Sequence, residues 1–413
     1  MTLSAEAPLA GEASSAVDTL TRDVDEALVE LEIAIDWLAM LSPTGAAARW
    51  DAFKASGYRK APALTYPDLP EHPDSLRARL AELPLAKIPH PLIATLLREK
   101  AQELGRQIDL VALRDTPDFV AASMALFPAP NARLLAMAQK ILTAVPPEQD
   151  PERDADAHDL LETAHAMRAE MRTQAPDFDF DVLIERDVGS ILMVNHGQLL
   201  IDRTAHVPRA RLVPLMAHEV GVHVVTRYNG RRQPLRQLEC GLADYDTLQE
   251  GLATLAEYLT GYLPARRLRM LAGRVIAADL AVHDASLEFI YTDLHETYTL
   301  DAEDAFETAV RAKRGGGLTK DAVYLDGLER LLAHLSTGAP IAPLMRGKFA
   351  LEHLPAIEEL AEEGLVVPAE VLPPHLVDPM ALSRLERARN TPIEALYQST
   401  PRPVAHFESE ATL

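Results

Sequence analysis

His218-Glu219-Val220-Gly221-Val222-His223, followed after a gap by Gln249-Glu250-Gly251-Leu252-Ala253, is the stretch on which the reading of this chain turns. Two histidines with a glutamate beside the first supply donors for a zinc site and a general base. The familiar H-E-x-x-H sets its histidines at i and i+4, about 40° apart around a regular helix. Here they stand at i and i+5, about 140° apart on the same geometry. Either the pair does not share a metal, or a π-bulge widens the helix locally, a distortion that clusters at functional sites. Gly221 lies inside the motif, where a backbone without Cβ distorts most easily. A catalytic zinc needs a third protein donor and an open position. Glu250, near the start of a second expected helix at 247–263, is the candidate. Glu257, seven residues on and on the same face, is a candidate acceptor for the outer nitrogen of a metal-bound imidazole.

Upstream of the motif the apolar period falls from helical to near two. Residues 180–186 and 190–194 read as strands, Asn195-His196-Gly197 as a turn, and 198–202 as the returning partner. The expectation is a small antiparallel sheet whose edge can hold an extended peptide by strand addition. His196 at the turn reads as solvated rather than as a ligand. The motif helix is expected from Pro208, with Pro214 forcing a kink or a later start and Asn229-Gly230 supplying a left-handed stop.

Further out, Val17, Leu20, Val24, Leu28, Leu31, Ile35 and Leu38 follow helical spacing, and helices are expected at 76–83, 92–104, 119–127, 132–145 and 156–173. Residues 58–73 carry four prolines and should run extended. The expected organisation is a disordered tail at 1–15, a helical region at 16–154, a metallopeptidase core at 155–340, and a helical extension at 341–413 packed on that core, loose after Val404. His283, His295, His353 and His375 have no ligand spacing or read as packed. Within the core, Thr319 is a candidate N-cap for a helix burying Leu328, Leu331 and Leu335. Tyr324 falls on the same stripe; core packing is its first reading and an oxyanion donor its second. Arg311 is the first choice for a substrate carboxylate, because Gly315, Gly316 and Gly317 beyond it would let a loop close. The arginines at 227, 231, 232 and 236 form a second basic cluster.

Composition narrows the partners. The 62 acidic residues outnumber the 40 Lys and Arg, giving a net charge of −22 that argues against nucleic acid and anionic membrane. The single cysteine, Cys240, permits no internal disulfide and reads as a small buried apolar residue. A first basic residue as late as Arg22 and the lack of any long apolar run make a cytoplasmic location the expectation.

The segments HEVGVH, YNGRRQPL, GLADYD and QEGLA, with a second block at 317–327 (GLTKDAVYLDG), resemble a bacterial family named for its QEGLA motif and described as modulating flavohaemoglobin expression. That family is similar to the eukaryotic microtubule-associated tyrosine carboxypeptidases, zinc peptidases with a HExxxH motif and a downstream glutamate. The resemblance spans about Val17 to about Pro403. It implies that His218, His223 and Glu250 bind Zn2+, that Glu219 is the catalytic base, and that the substrate is a peptide or protein C-terminus, possibly ending in tyrosine. The expected fold is α+β, a predominantly helical, zincin-like metallopeptidase with a small antiparallel β-sheet. The rival expectation is a non-catalytic regulatory protein using the metal structurally, which would ordinarily need four protein ligands where only three are apparent.

Overall fold

The computed structural model describes residues 17–148, 151–186, 188–398 and 400–401. The expected tail at 1–15 and the loose end after Val404 lie outside the described residues. Helix α1 (Thr19–Ile35) starts where the Asp18 carboxylate accepts from the Thr21 amide, and its apolar stripe buries Val24, Leu28, Leu31 and Ile35. Helix α2 (Pro91–Ala112) carries proline in its first turn, where the missing N–H is not needed. One cluster of buried apolar side chains runs from Val17 to Leu396, so the amino-terminal helices, the motif and the carboxy-terminal segment share a core.

The sheet is mixed rather than antiparallel. Strand β1 (Ala155–Asp156) pairs antiparallel with β5 (His206–Val207) as a separate two-stranded piece. The main sheet has the order β2-β4-β3, from β2 (Val182–Glu185), β3 (Leu192–Asn195) and β4 (Gln198–Asp202). The hairpin β3–β4 forms as expected, closed by His196 and Gly197 at φ 47° and 84°, the left-handed pair that a two-residue hairpin turn requires. Strand β2, however, pairs parallel with β4. Leu199 and Ile201 are fully buried, so β4 takes the centre and leaves the half-exposed β2 and β3 as edges. Strand alternation reports burial but not neighbour order, which is why this topology was not readable.

Helix α3 (residues 212–231) carries the histidine motif. It begins at Leu212 after a short 3-10 turn at Arg209–Arg211, so Pro214 falls in its first turn and makes no kink. The expected left-handed stop at Gly230 is absent, since α3 runs through it to Arg231. A Cβ on Gly230 would lie 2.0 Å from the carbonyl oxygen of Leu238, so this glycine serves close approach of two backbones. Thr319 is likewise not a side-chain cap; its hydroxyl is spent on Ser123 and the Phe127 carbonyl. Cys240 is half-buried, and burial pushes its thiol up to about 11.

Helices α4 (Tyr245–Leu259), α5 (Ala265–Val282), α6 (Ala302–Lys313) and α7 (Val323–Ser336) complete the surroundings of the motif. Helices α4 and α7 cross at Gly251 and Gly327. A Cβ on Gly327 would lie 1.9 Å from the Thr247 carbonyl oxygen, and one on Gly251 would lie 2.5 Å from that of Gly327. Gly251→Ala or Gly327→Ala is therefore expected to force the helices apart. The cost should be about 1–3 kcal/mol, as for other overpacked interiors. Because α4 also carries Glu250, divalent-metal affinity should fall in parallel. Urea unfolding with a zinc titration checks both; unchanged values would mean that the crossing relaxes freely.

Candidate metal centre

Helix α3 is α-helical over Leu212–His218, π-helical over Glu219–Val224, and α-helical again over Val225–Arg231. The widened turn absorbs the extra residue between the histidines and returns both imidazoles to one face. Their ring centroids lie 5.2 Å apart at 77°. Gly221 has no left-handed backbone, and its role is steric. A Cβ there would lie 2.9 Å from Cε1 of His375, a buried residue of the carboxy-terminal segment that packs behind the π turn.

Across from α3, helix α4 brings Glu250 against both rings. Its Oε2 lies 3.6 Å from His218 Nε2 and 3.9 Å from His223 Nε2. One donor atom from each residue falls within 4.8 Å of the other two. Both outer ring nitrogens are turned away from this space. His218 Nδ1 is 2.9 Å from Glu257 Oε1, and His223 Nδ1 is 3.5 Å from Gln249 Oε1. Buried Glu250 Oε2 has no hydrogen-bond partner. Two imidazoles with their Nε2 atoms free, facing an orphaned carboxylate oxygen, fit zinc well and a hard oxygen-seeking cation poorly. Among the described residues no fourth His, Cys, Asp or Glu joins this group.

The electrostatics follow from burial. Burial alone would push the His218 imidazole down, but Glu250, Glu257 and Glu219 outweigh it and hold it up at about 9. Burial drives His223 down to about 3, with the His218 and Lys348 charges adding to the effect and Glu250 and Gln249 too weak to offset it. Burial works against the Glu250 carboxylate, yet His218, His223 and Lys320 hold it below the usual range. Glu219 is raised by burial and by its acidic neighbours, which suits a base that must take and return a proton. No hydrogen bond occupies its side chain among the described residues.

Several contributors were missed in the sequence. Glu257 was anticipated as an acceptor for a metal-bound imidazole, but not as the shared partner of Arg211 Nη2 at 2.6 Å and Arg267 Nη2 at 2.9 Å. Gln249 was overlooked although it stands inside the QEGLA motif. Lys320 lies 2.9 Å from Asp246 and 3.9 Å from Glu250. Arg267 and Arg274 repeat on α5 at the same seven-residue interval as Glu250 and Glu257, a signal that was available.

The substrate-side expectations need correction. Arg311 does not sit below a mobile loop: its Nε and Nη2 both donate to Asp321. Gly315 and Gly316 form a packed left-handed turn, and a Cβ on Gly315 would meet the Phe119 ring at 2.4 Å. Tyr324 packs partly against the smaller apolar cluster, yet Arg274 lies over its ring at 4.6 Å and Lys320 at 5.9 Å. The other basic cluster is occupied: Arg227, Arg231 and Arg236 converge on buried Glu239, and Arg232 on Asp177 and Glu370. His196, at the hairpin tip, sits 3.6 Å from Asp36 and far from any ligand role.

A proton on His218 competes with metal. Zinc affinity should rise with pH below about 9, by up to about tenfold per unit. Metal uptake at neutral pH should release about one proton from this residue. Calorimetric titration in buffers of different ionisation enthalpy measures this; uptake without proton release would show His218 already neutral.

The chain is similar to a family of known proteins. The family described as microtubule-associated tyrosine carboxypeptidase matches residues 51–391. Microtubule-associated tyrosine carboxypeptidase 1 of Homo sapiens is 31% identical over 185 residues, covering 41% of this chain and 36% of that protein. The Rattus norvegicus protein of the same name is 31% identical over 177 residues, 40% of this chain and 35% of its own length. The Mus musculus protein is 33% identical over 137 residues, 30% and 28% respectively. Each alignment thus spans well under two thirds of the relative, while the family match takes in every residue from Arg211 to Tyr324. The chain belongs to the microtubule-associated tyrosine carboxypeptidase family.

Proposed function

We propose that this protein is a zinc-dependent carboxypeptidase that removes the C-terminal residue of a peptide or protein, tyrosine being the first candidate. The single observation that carries the reading is the convergence of His218 Nε2, His223 Nε2 and the orphaned Glu250 Oε2, with the raised carboxyl of Glu219 beside it. The family description and the names of the three relatives support the reaction class.

His218, His223 and Glu250 would hold the ion. Zinc in such a site supplies a Lewis acid that polarises the scissile carbonyl and acidifies water. Glu219 takes the proton of the attacking water and returns it to the leaving amine. Glu257, fixed by Arg211 and Arg267, holds the His218 ring with Nε2 inward, and Gln249 does the same for His223. Tyr324, half-buried with Arg274 and Lys320 against its ring, would donate to the oxygen on which charge develops. Arg311, although held by Asp321, would add positive potential that favours an anionic substrate end. In a zincin-like reading, β3, at an edge of the sheet, would receive an extended peptide by strand addition. No helix among the described residues is long and apolar enough to cross a membrane.

Glu219→Gln should retain stoichiometric zinc and lose hydrolysis by at least about 100-fold, because the amide cannot accept the proton. Glu250→Ala should lose most of the metal. Metal analysis with a C-terminally diverse peptide mixture checks both. Activity surviving in Glu219→Gln would remove Glu219 as the base, and full zinc in Glu250→Ala would remove it as the third ligand.

A further inference from the structure

Residues 367–373 run beside α3 as an extended strap that ends in a short 3-10 turn at Pro374–Leu376. Among the described residues, 367–373 make no backbone–backbone hydrogen bond to another element. Three side-chain amides take the place of a ladder. Gln233, just past α3, accepts from the Val367 N–H at 2.8 Å and donates to the Val367 carbonyl at 3.0 Å. Asn229 grips Val371 in the same way, at 3.0 and 2.9 Å, and also accepts from the Glu370 N–H. Gln174, just past the helix at Ala157–Met171, grips Leu372 at 3.1 and 2.8 Å. Val371 and His375 anchor the segment in the interior, at 0% and 3% exposure.

Where these grips fall on α3 decides what they do. His375 meets the helix at the π turn itself, because a Cβ on Gly221 would come within 2.9 Å of its Cε1 and 3.5 Å of Pro373 Cβ. Its Nδ1 is buried without a partner, and burial drives the imidazole down to about 3. The neutral ring thus contributes shape rather than charge. Asn229 and Gln233 lie beyond the π turn. A π turn carries one residue more than an α turn, so relaxation to an unbroken α-helix would rotate everything beyond it by about 100°. That rotation would carry both amides off the strap, and it would also part the His218 and His223 rings. The strap therefore fits one register of α3, the register that presents two Nε2 atoms to Glu250.

We propose that the strap is a register lock for the metal centre: Gln174, Asn229, Gln233 and His375 are positioning residues that hold α3 in its π register, so that strap docking and zinc binding favour one another. This lock rests on the zinc reading of the site and adds a control exerted by residues that are not ligands. Both events bias one two-state element, the turn Glu219–Val224. The coupling is reciprocal: by whatever factor a docked strap strengthens zinc binding, bound zinc strengthens docking.

The test uses full-length protein, with and without zinc. Hydrogen exchange at the Val367, Val371 and Leu372 amides, each closed by a side chain, reads strap docking. Zinc should slow it by at least about tenfold, while exchange in the edge strand β2 changes little. No slowing at the strap, or equal slowing in β2, overturns the lock. Substitution reads the coupling from the other side. Gly221→Ala drives a methyl into His375 and should weaken zinc binding by about 10- to 100-fold, the range for groups that orient metal ligands. The visible spectrum of the cobalt-substituted protein should change with it. Gly221→Ala combined with His375→Ala removes the collision and should recover most of the affinity and the spectrum, which a general loss of folding would not do. A folded double variant as weak as Gly221→Ala overturns His375 as the key, and so does undiminished zinc binding by Gly221→Ala. Should Gly221→Ala fail to fold, exchange in the unsubstituted protein still decides. Absence of zinc uptake by the unsubstituted protein would sink the metal reading and the lock together, whereas uptake without a strap response sinks the lock alone.

Discussion

The site depends on one turn of π-helix between Glu219 and Val224. An α-helix there would point His218 and His223 in different directions, and Glu250 could meet only one of them. A π turn is less favourable than the α turns on either side, so its surroundings must hold it. His375 fills the space behind Gly221, where any larger residue would collide. Further along α3, the Asn229 amide donates to the carbonyls of Met345 and Val371 and accepts from the amides of Glu370 and Val371. Gln233 makes a similar double link to Arg346 and Val367. The carboxy-terminal segment thus braces the helix that carries the two histidines.

The second constraint is the arrangement of buried charge. Glu257 is fully buried, and Arg211, Arg267 and His218 share its carboxylate. Removing that carboxylate would strand three cations, whereas a buried ion group with all partners present is tolerated. The same logic separates the other basic residues. Those around Glu239 are matched by acid and hold α3 to the segment that follows it. Those around Asp321 share one carboxylate between Arg311 and Arg274, within electrostatic reach of the candidate metal ligand Glu250.

A glycine beside a candidate site need not serve its chemistry. Gly251 sits inside the QEGLA motif beside a candidate metal ligand, yet its hydrogen faces Gly327 and lets α4 and α7 touch backbone to backbone. Gly230 and Gly221 are explained by close packing in the same way. Gly315 and Gly316 were read as a hinge, but they pack on Phe119 as a fixed turn. Glycine marks a need for space or for a left-handed backbone, and sequence does not say which.

By itself the sequence determined the chemistry that neighbours along one helix can express. His218, Glu219 and His223 are close in the chain, so their misfit to an α-helix already called for a π turn, and Glu250 and Glu257 were tied by a two-turn interval. The mainly helical fold and the β3–β4 hairpin were equally local, set by period and by a two-residue turn. The parallel pairing of β2, the orientation of His223 by Gln249, the occupation of Arg311 by Asp321 and the sharing of that carboxylate with Arg274 were decided only in the tertiary structure. Each of these joins residues from different elements, and whether a buried charge has a partner depends on which acids the packing of those elements brings within reach.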